Sequence, residues 1–228
     1  MKLNTPPLKA IVLGGTGLIG EELIHQLMAL DTYQEICVLG RRNTAPPHPK
    51  LVFHQVNMQD LSPWANLLEQ GDVFCCLGTT IKKAGSQAAF LEVDFNMVVH
   101  AANMAEGRAR QFILISSLGA NKKSGNFYLK TKGETEAAVM ATSIPSISIL
   151  RPSILFGNRK EKRTGEKIGI VLMKILGPLF IGGLKKYRGN KAETVAGTMI
   201  LCARENKPGK HIYESLDIER IGNQFKVD

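Results

Sequence analysis

The sequence predicts an α/β fold: a doubly wound parallel sheet with a small cap at its C-terminal end. Short apolar runs alternate with segments of helical periodicity through the first two-thirds of the chain. That alternation implies parallel strands connected by helices on both faces. Most of the runs are apolar without a break, the pattern of strands buried on both sides. At 228 residues and 44% apolar content, the chain suits a single domain, 1–228, with a sizeable core and no need of disulfides.

Each element follows from a local signal. Residues 8–13 (LKAIVL) are a short apolar run ending in glycines, which predicts the first strand. Leu18, Ile19, Leu23, Ile24 and Leu27 recur at helical spacing, predicting a helix over 17–30. Residues 35–39 form a second strand, followed by a Pro-rich loop, and 51–56 alternate as a third. Residues 72–77 (DVFCCL) read as a fourth, buried strand closed by Gly78-Thr79-Thr80. A long helix over 90–106 precedes a fifth strand at 111–115, which ends in Ser116-Ser117. A helix over 128–142 leads to a sixth strand at 146–150, ending in Arg151-Pro152. Beyond Ser153 the pattern loosens into a basic loop, an apolar helix around 168–176 and a Gly/Pro-rich turn through 183. A helix near 193–203 and a short strand near 211–214 follow, so 153–228 is expected to form a small substrate-side cap.

Composition narrows the function classes. The net charge of +9 attracts anions, but it does not by itself distinguish nucleic acid, an acidic partner, a membrane or a phosphorylated cofactor. The basic run at 159–163 lacks the interleaved aromatics of a single-strand binding surface, so direct nucleic-acid binding ranks last. Cys37, Cys75, Cys76 and Cys202 show no ligand spacing, which argues against a metal site, and three of them sit in apolar runs that suit a reducing compartment. The N-terminal residues carry no apolar signal segment, so the expected location is cytoplasmic. The apolar stretch at 168–183 is short for a membrane span and contains Lys174 and Pro178; it reads as a helix against the protein, a membrane surface or a second subunit.

The chemistry begins at Gly14-Gly15-Thr16-Gly17-Leu18-Ile19-Gly20, between the first strand and the first helix. Gly14 permits a tight turn, Gly17 lets the backbone approach a pyrophosphate, and Gly20 allows close helix–strand packing. The helix N-terminus adds unpaired N–H groups and its dipole. Strand before, helix after and first-strand position together predict a dinucleotide site in a Rossmann-type domain. The second strand ends in Gly40-Arg41-Arg42 rather than in an acid for the ribose hydroxyl. Two guanidinium groups there suit a 2′-phosphate, so the expected cofactor is NADP(H). Sheet topology places Asp60 near the adenine, and Leu77-Gly78 where the cofactor's ribose or nicotinamide passes.

Tyr128 and Lys132 form a Tyr-x-x-x-Lys on a predicted helix, which puts phenol and ammonium on one face. A nearby cation helps the phenol act as an acid or base, and the same lysine suits the nicotinamide ribose. Ser116 or Ser117, at the carboxyl edge, is placed to bind a substrate oxygen.

These segments, with Arg151-Pro152-Ser153, resemble the atypical short-chain dehydrogenase/reductases. Within that superfamily the chain is similar to the Tat-interacting protein group, through DVFCCLGTT (72–80), Lys83-Ala84-Gly85, Ser116-Ser117-x-Gly-Ala120 and Tyr128-Leu-x-x-Lys-Gly-Glu134. The resemblance runs over about residues 8–200. It implies that Thr16 to Ile19 hold the pyrophosphate, Arg41 and Arg42 the 2′-phosphate, and Leu77-Gly78 the ribose side. It further implies Tyr128 as proton donor or acceptor, Lys132 as its partner, and Leu155 and Arg163 as cofactor-lining residues. Extended members usually carry Asn where this chain has Asp94, and the C-terminal part is short for a sugar-nucleotide site. The leading expectation is an NADP(H)-dependent reductase of a small carbonyl substrate, monomeric or homodimeric. The rivals are an NADPH-sensing regulator that binds a protein partner, and a nucleotide-sugar epimerase-like enzyme.

Overall fold

In a computed structural model of the protein, which describes residues 8–43, 45–156 and 189–226, the apolar runs become parallel strands. They are β1 (Leu8–Leu13), β2 (Tyr33–Gly40), β3 (Leu51–Gln55), β4 (Asp72–Cys75), β5 (Gln111–Ile115) and β6 (Ser146–Arg151). A two-residue pair follows, β7 (Leu155–Phe156) with β8 (Asn190–Lys191), and then β9 (Gly209–Glu214). The main sheet has seven strands in the order β3-β2-β1-β4-β5-β6-β9, and every pairing in it is parallel.

Alternate residues of each central strand feed two separate cores. Ile11, Leu13, Cys37, Leu39, Val73, Cys75, Phe112, Leu114, Ile147 and Ile149 face one way. Ala10, Val12, Ile36, Val38, Phe74, Ile113, Ile115 and Leu150 face the other. This is why the runs are apolar without alternation: a period of two divides each run between two buried faces.

Helices cover both faces. The first core is closed by α4 (Met97–Ala105) and α5 (Phe127–Ala141), through Val98, Ala101, Ala102 and Val139. The second is closed by α1 (Leu18–Ala29), α6 (Ala192–Glu205) and α7 (Ser215–Gly222), through Leu23, Leu27, Val195, Met199 and Ile218. Two short helices, α2 (Ile81–Ala84) and α3 (Gln87–Leu91), precede α4. The single long helix expected over 90–106 is instead α3 and α4 joined by one π-helical turn, Glu92–Asn96.

The C-terminal residues 189–226 complete the main domain. Strand β9 pairs with β6 along its whole length, and α6 packs into the core shared with α1. The expected apolar helix, its Gly/Pro-rich turn, the basic run and Arg163 fall in 157–188 and so lie outside the described residues. Among the described residues, no helix is long and apolar enough to cross a membrane.

The amino end of the sheet is tied by a buried carboxylate. Asp72, 1% exposed, accepts the Tyr33 hydroxyl at 2.7 Å, two Arg110 N–H groups at 2.8 and 2.7 Å, and the Gln111 side chain at 2.8 Å. Four bonds satisfy the charge, and losing one partner of such a set leaves it stranded. The carboxyl end is where the chemistry-bearing residues gather.

Candidate active site

Strand order reverses between β1 and β4, and in open parallel sheets the crevice at such a reversal receives the ligand. The loop after β1 is pressed against the end of β4 there. Gly14 has φ +79°, and a Cβ on it would fall 2.5 Å from the Cys76 carbonyl oxygen, so conformation and space both demand glycine. A Cβ on Gly20 would fall 2.3 Å from the Gly14 oxygen, which seats the first turn of α1 directly on the loop.

Gly17 differs. It is exposed, and a Cβ there would touch only the Gly14 oxygen, at 3.4 Å. No side chain caps α1 at Gly17, and the first backbone bond closing the helix runs from Glu21 N–H to the Gly17 oxygen. The N–H groups of Leu18, Ile19 and Gly20 therefore have no intrahelical acceptor. Unpaired N–H groups beside an exposed glycine, at the positive end of a helix, fit the pyrophosphate of a dinucleotide.

Arg41 and Arg42 follow the end of β2, are exposed, and make no hydrogen bond or ion pair among the described residues. Asp60 is also exposed, and it is engaged locally: it accepts the Ser62 N–H at 3.0 Å and the Ser62 hydroxyl. Those bonds hold its carboxyl below the usual range.

Helix α5 carries Tyr128 and Lys132. Asn126 starts it by accepting the Leu129 N–H at 3.1 Å. The spacing of Tyr128, Lys132 and Glu136 then puts all three on one face. The Tyr128 ring lies 5.4 Å from that of Phe90, centroid to centroid, and its hydroxyl makes no hydrogen bond among the described residues. The Lys132 ammonium is 2.8 Å from Asp94 Oδ1 with both side chains buried. Asp94 Oδ2 accepts the Thr79 N–H at 2.8 Å. Burial works against the Lys132 charge, but Asp94, with a smaller contribution from Tyr128, outweighs it and raises the lysine above its ordinary value. Gly78 lies beside this pair: a Cβ there would be 3.4 Å from Asp94 Oδ1 and 3.6 Å from Lys132 Nζ.

The two serines after β5 have different surroundings. Ser116 is buried and its hydroxyl donates to Glu136 Oε1. Glu136 also accepts Arg151 Nε at 3.0 Å and Nη2 at 2.5 Å, while Arg151 Nη1 reaches Glu214 at 2.9 Å. The bond to Glu136, helped by Glu214, raises the Arg151 guanidinium above its ordinary value despite partial burial. Ser117 is half-buried, and its hydroxyl has one long contact, 3.4 Å to the Leu118 carbonyl.

The structure thus brings Gly78, Tyr128 and Lys132 together and sets the glycine loop at the neighbouring strand end. Leu77 is half-buried and packs on the first core, and Leu155 on the second. Sequence reasoning missed Glu136, although its place four residues after Lys132 was visible. It read Asp94 only as a missing asparagine; the structure makes it the partner of Lys132. Among the described residues no group of three His, Cys, Asp or Glu side chains is arranged to hold a metal.

The sheet order and the glycine loop at its reversal together define an α/β protein of Rossmann type. The chain belongs to the NAD dependent epimerase/dehydratase family, which it matches over residues 10–186. It is 35% identical to Protein HTATIP2 of Rattus norvegicus over 167 residues, 68% of this chain and 66% of that protein, just under two-thirds of its length. It is 35% identical to Protein FMP52, mitochondrial, of Candida glabrata over 162 residues, 68% of this chain and 67% of that protein. Among solved structures, the Bordetella bronchiseptica enzyme WbmH in complex with NAD+ has a TM-score of 0.68 at 12% identity, covering 91% of this chain and 75% of that one. The Lactococcus lactis oxidoreductase ylbE has a TM-score of 0.63 at 18% identity, with 96% and 99% covered. MoeE5 in complex with UDP-glucose and NAD has a TM-score of 0.65 at 15% identity, with 90% and 74% covered. The expectation of a cytoplasmic protein does not stand, because the similar yeast proteins are named mitochondrial.

Proposed function

We propose that the protein is an NADP(H)-dependent reductase of a small carbonyl compound. One observation carries the reading: Gly78, beside the glycine cradle, lies against the Lys132–Asp94 pair one helical turn from Tyr128. A dinucleotide held at the glycine loop and laid across that strand end would have its nicotinamide within reach of Tyr128. Bound NADPH supplies two electrons and one hydrogen to the carbonyl carbon.

The chain's own groups do the rest. Tyr128 gives its hydroxyl proton to the carbonyl oxygen as the alcohol forms, and is reprotonated from solvent. Lys132 stays an ammonium and offers its remaining N–H groups to the ribose. Ser117 bonds the substrate oxygen, because the Ser116 hydroxyl is committed to Glu136. Arg41 and Arg42 would hold the 2′-phosphate with charge-assisted bonds. The names of the yeast relatives support a mitochondrial setting.

The test pairs NADPH binding with turnover in Tyr128→Phe. Unchanged binding with lost reduction of aldehydes and ketones is expected; unchanged turnover refutes the role of the phenol. Epimerisation of a nucleotide sugar is the second reading, favoured by the family match. It consumes no net NADPH, so stoichiometric NADPH oxidation separates the two.

A further inference from the structure

We infer that Asp94 is a positioning residue that offsets the charge of Lys132 and so leaves Tyr128 in its proton-giving form, biasing the site toward reducing a carbonyl. This rests on the reading of Tyr128 as the proton donor. A lone ammonium one helical turn from a phenol favours the phenolate, the form that takes a proton from an alcohol. Here the ammonium is met at 2.8 Å by a carboxylate that is 0% exposed. Seen from Tyr128, the two form a dipole with no net charge.

The placement of Asp94 is fixed from several sides. The π-helical turn at Glu92–Asn96 carries it inward, a device that recurs at functional sites. Its second carboxylate oxygen is held by the Thr79 N–H, and its backbone carbonyl accepts the Thr135 hydroxyl at 2.8 Å. Other titratable neighbours leave the balance intact. Cys75, facing Lys132 from β4, is pushed by burial up to about 12 and stays neutral. Phe90 from α3 and Thr79 from the loop after β4 bring no charge to the pair. Glu136, further along α5, is spent on Arg151 and Ser116.

The experiment is a titration of phenolate absorbance in the protein without cofactor, with Tyr128→Phe as the blank for the other tyrosines. In Asp94→Asn the Tyr128 band should emerge at a pH lower by about one unit or more, because the ammonium is no longer offset. In Lys132→Met, where the carboxylate stands alone, it should emerge at higher pH. In the double variant Asp94→Asn with Lys132→Met it should return toward the wild type. If Asp94→Asn does not fold, the comparison of Lys132→Met with the double variant still isolates the carboxylate. A band at the same pH in those two proteins overturns the proposal. Shifts as expected in a protein that reduces no carbonyl uphold the role of Asp94 and overturn only the reductase reading.

Discussion

Two glycines of one loop should respond in opposite ways to the same added methyl group. Gly17 has φ −84° and ψ 165°, a conformation open to any residue, and its Cβ would meet a single atom at 3.4 Å. Gly17→Ala should therefore fold with a stability within about 1 kcal/mol of the wild type, because reduced freedom of the unfolded chain offsets the preference for glycine over alanine at an N-cap. That methyl group would stand in the open space beside Gly17 that is assigned to the pyrophosphate. Losing one charge-assisted N–H bond to a phosphate costs about 1.5–3 kcal/mol, or a rise in the Kd for NADPH of about tenfold to about a hundredfold. At Gly20 the Cβ would fall 2.3 Å from a backbone oxygen and 2.9 Å from the Gly15 Cα, neither of which can rotate away. Gly20→Ala should lose about 1–3 kcal/mol by overpacking, seen as a melting temperature lower by about 2–12 °C in a chain of this size. Thermal melts and fluorescence titration with NADPH read both effects. A Gly17→Ala protein that folds normally and binds NADPH like the wild type refutes the cradle.

Replacing Arg41 and Arg42 with alanine should weaken NADPH by about tenfold or more while leaving NADH unchanged, since each arginine is worth about one charge-assisted bond; equal losses for both cofactors refute the 2′-phosphate clamp. Ser116→Ala should cost about 1–3 kcal/mol by leaving Glu136 short of a donor, whereas Ser117→Ala should reduce turnover without a change in denaturation midpoint; the reverse pattern exchanges their roles. Alkaline pH should destabilise the fold. Burial pushes the Cys37 and Cys75 thiols up to about 12 and the Cys202 thiol up to about 11. The unfolded chain releases those protons near pH 8.5, so stability is full below that pH and falls as pH rises through the folded values, one proton per thiol. Urea midpoints measured across pH 8–11 should fall less steeply in Cys37→Ala; an unchanged slope contradicts the assignment.

Most of the fold was legible because both faces of its strands are buried. Runs such as 8–13 and 111–115 carry no polar residue on either face of their centre, the pattern of a strand covered on both sides. Helix α7 escaped notice because its start is a Glu214–Asp217 capping box rather than the commoner Ser/Thr form. The π-helical turn was invisible for a different reason. It is set by the tertiary pairing of Asp94 with Lys132 and of Thr135 with the Asp94 carbonyl, 38 and 41 residues away in sequence. The glycine loop, the arginine pair and Tyr-x-x-x-Lys could be read from spacing alone. The difference between Ser116 and Ser117 could not, because it depends on which hydroxyl the folded chain turns toward Glu136.

The most direct test of the central claim is a crystal structure of the protein with NADPH. The account predicts the pyrophosphate over the N–H groups of residues 17–20, the 2′-phosphate between Arg41 and Arg42, and the nicotinamide ring beside Gly78 facing the Tyr128 hydroxyl. A dinucleotide bound elsewhere, or one whose nicotinamide turns away from Tyr128, contradicts it.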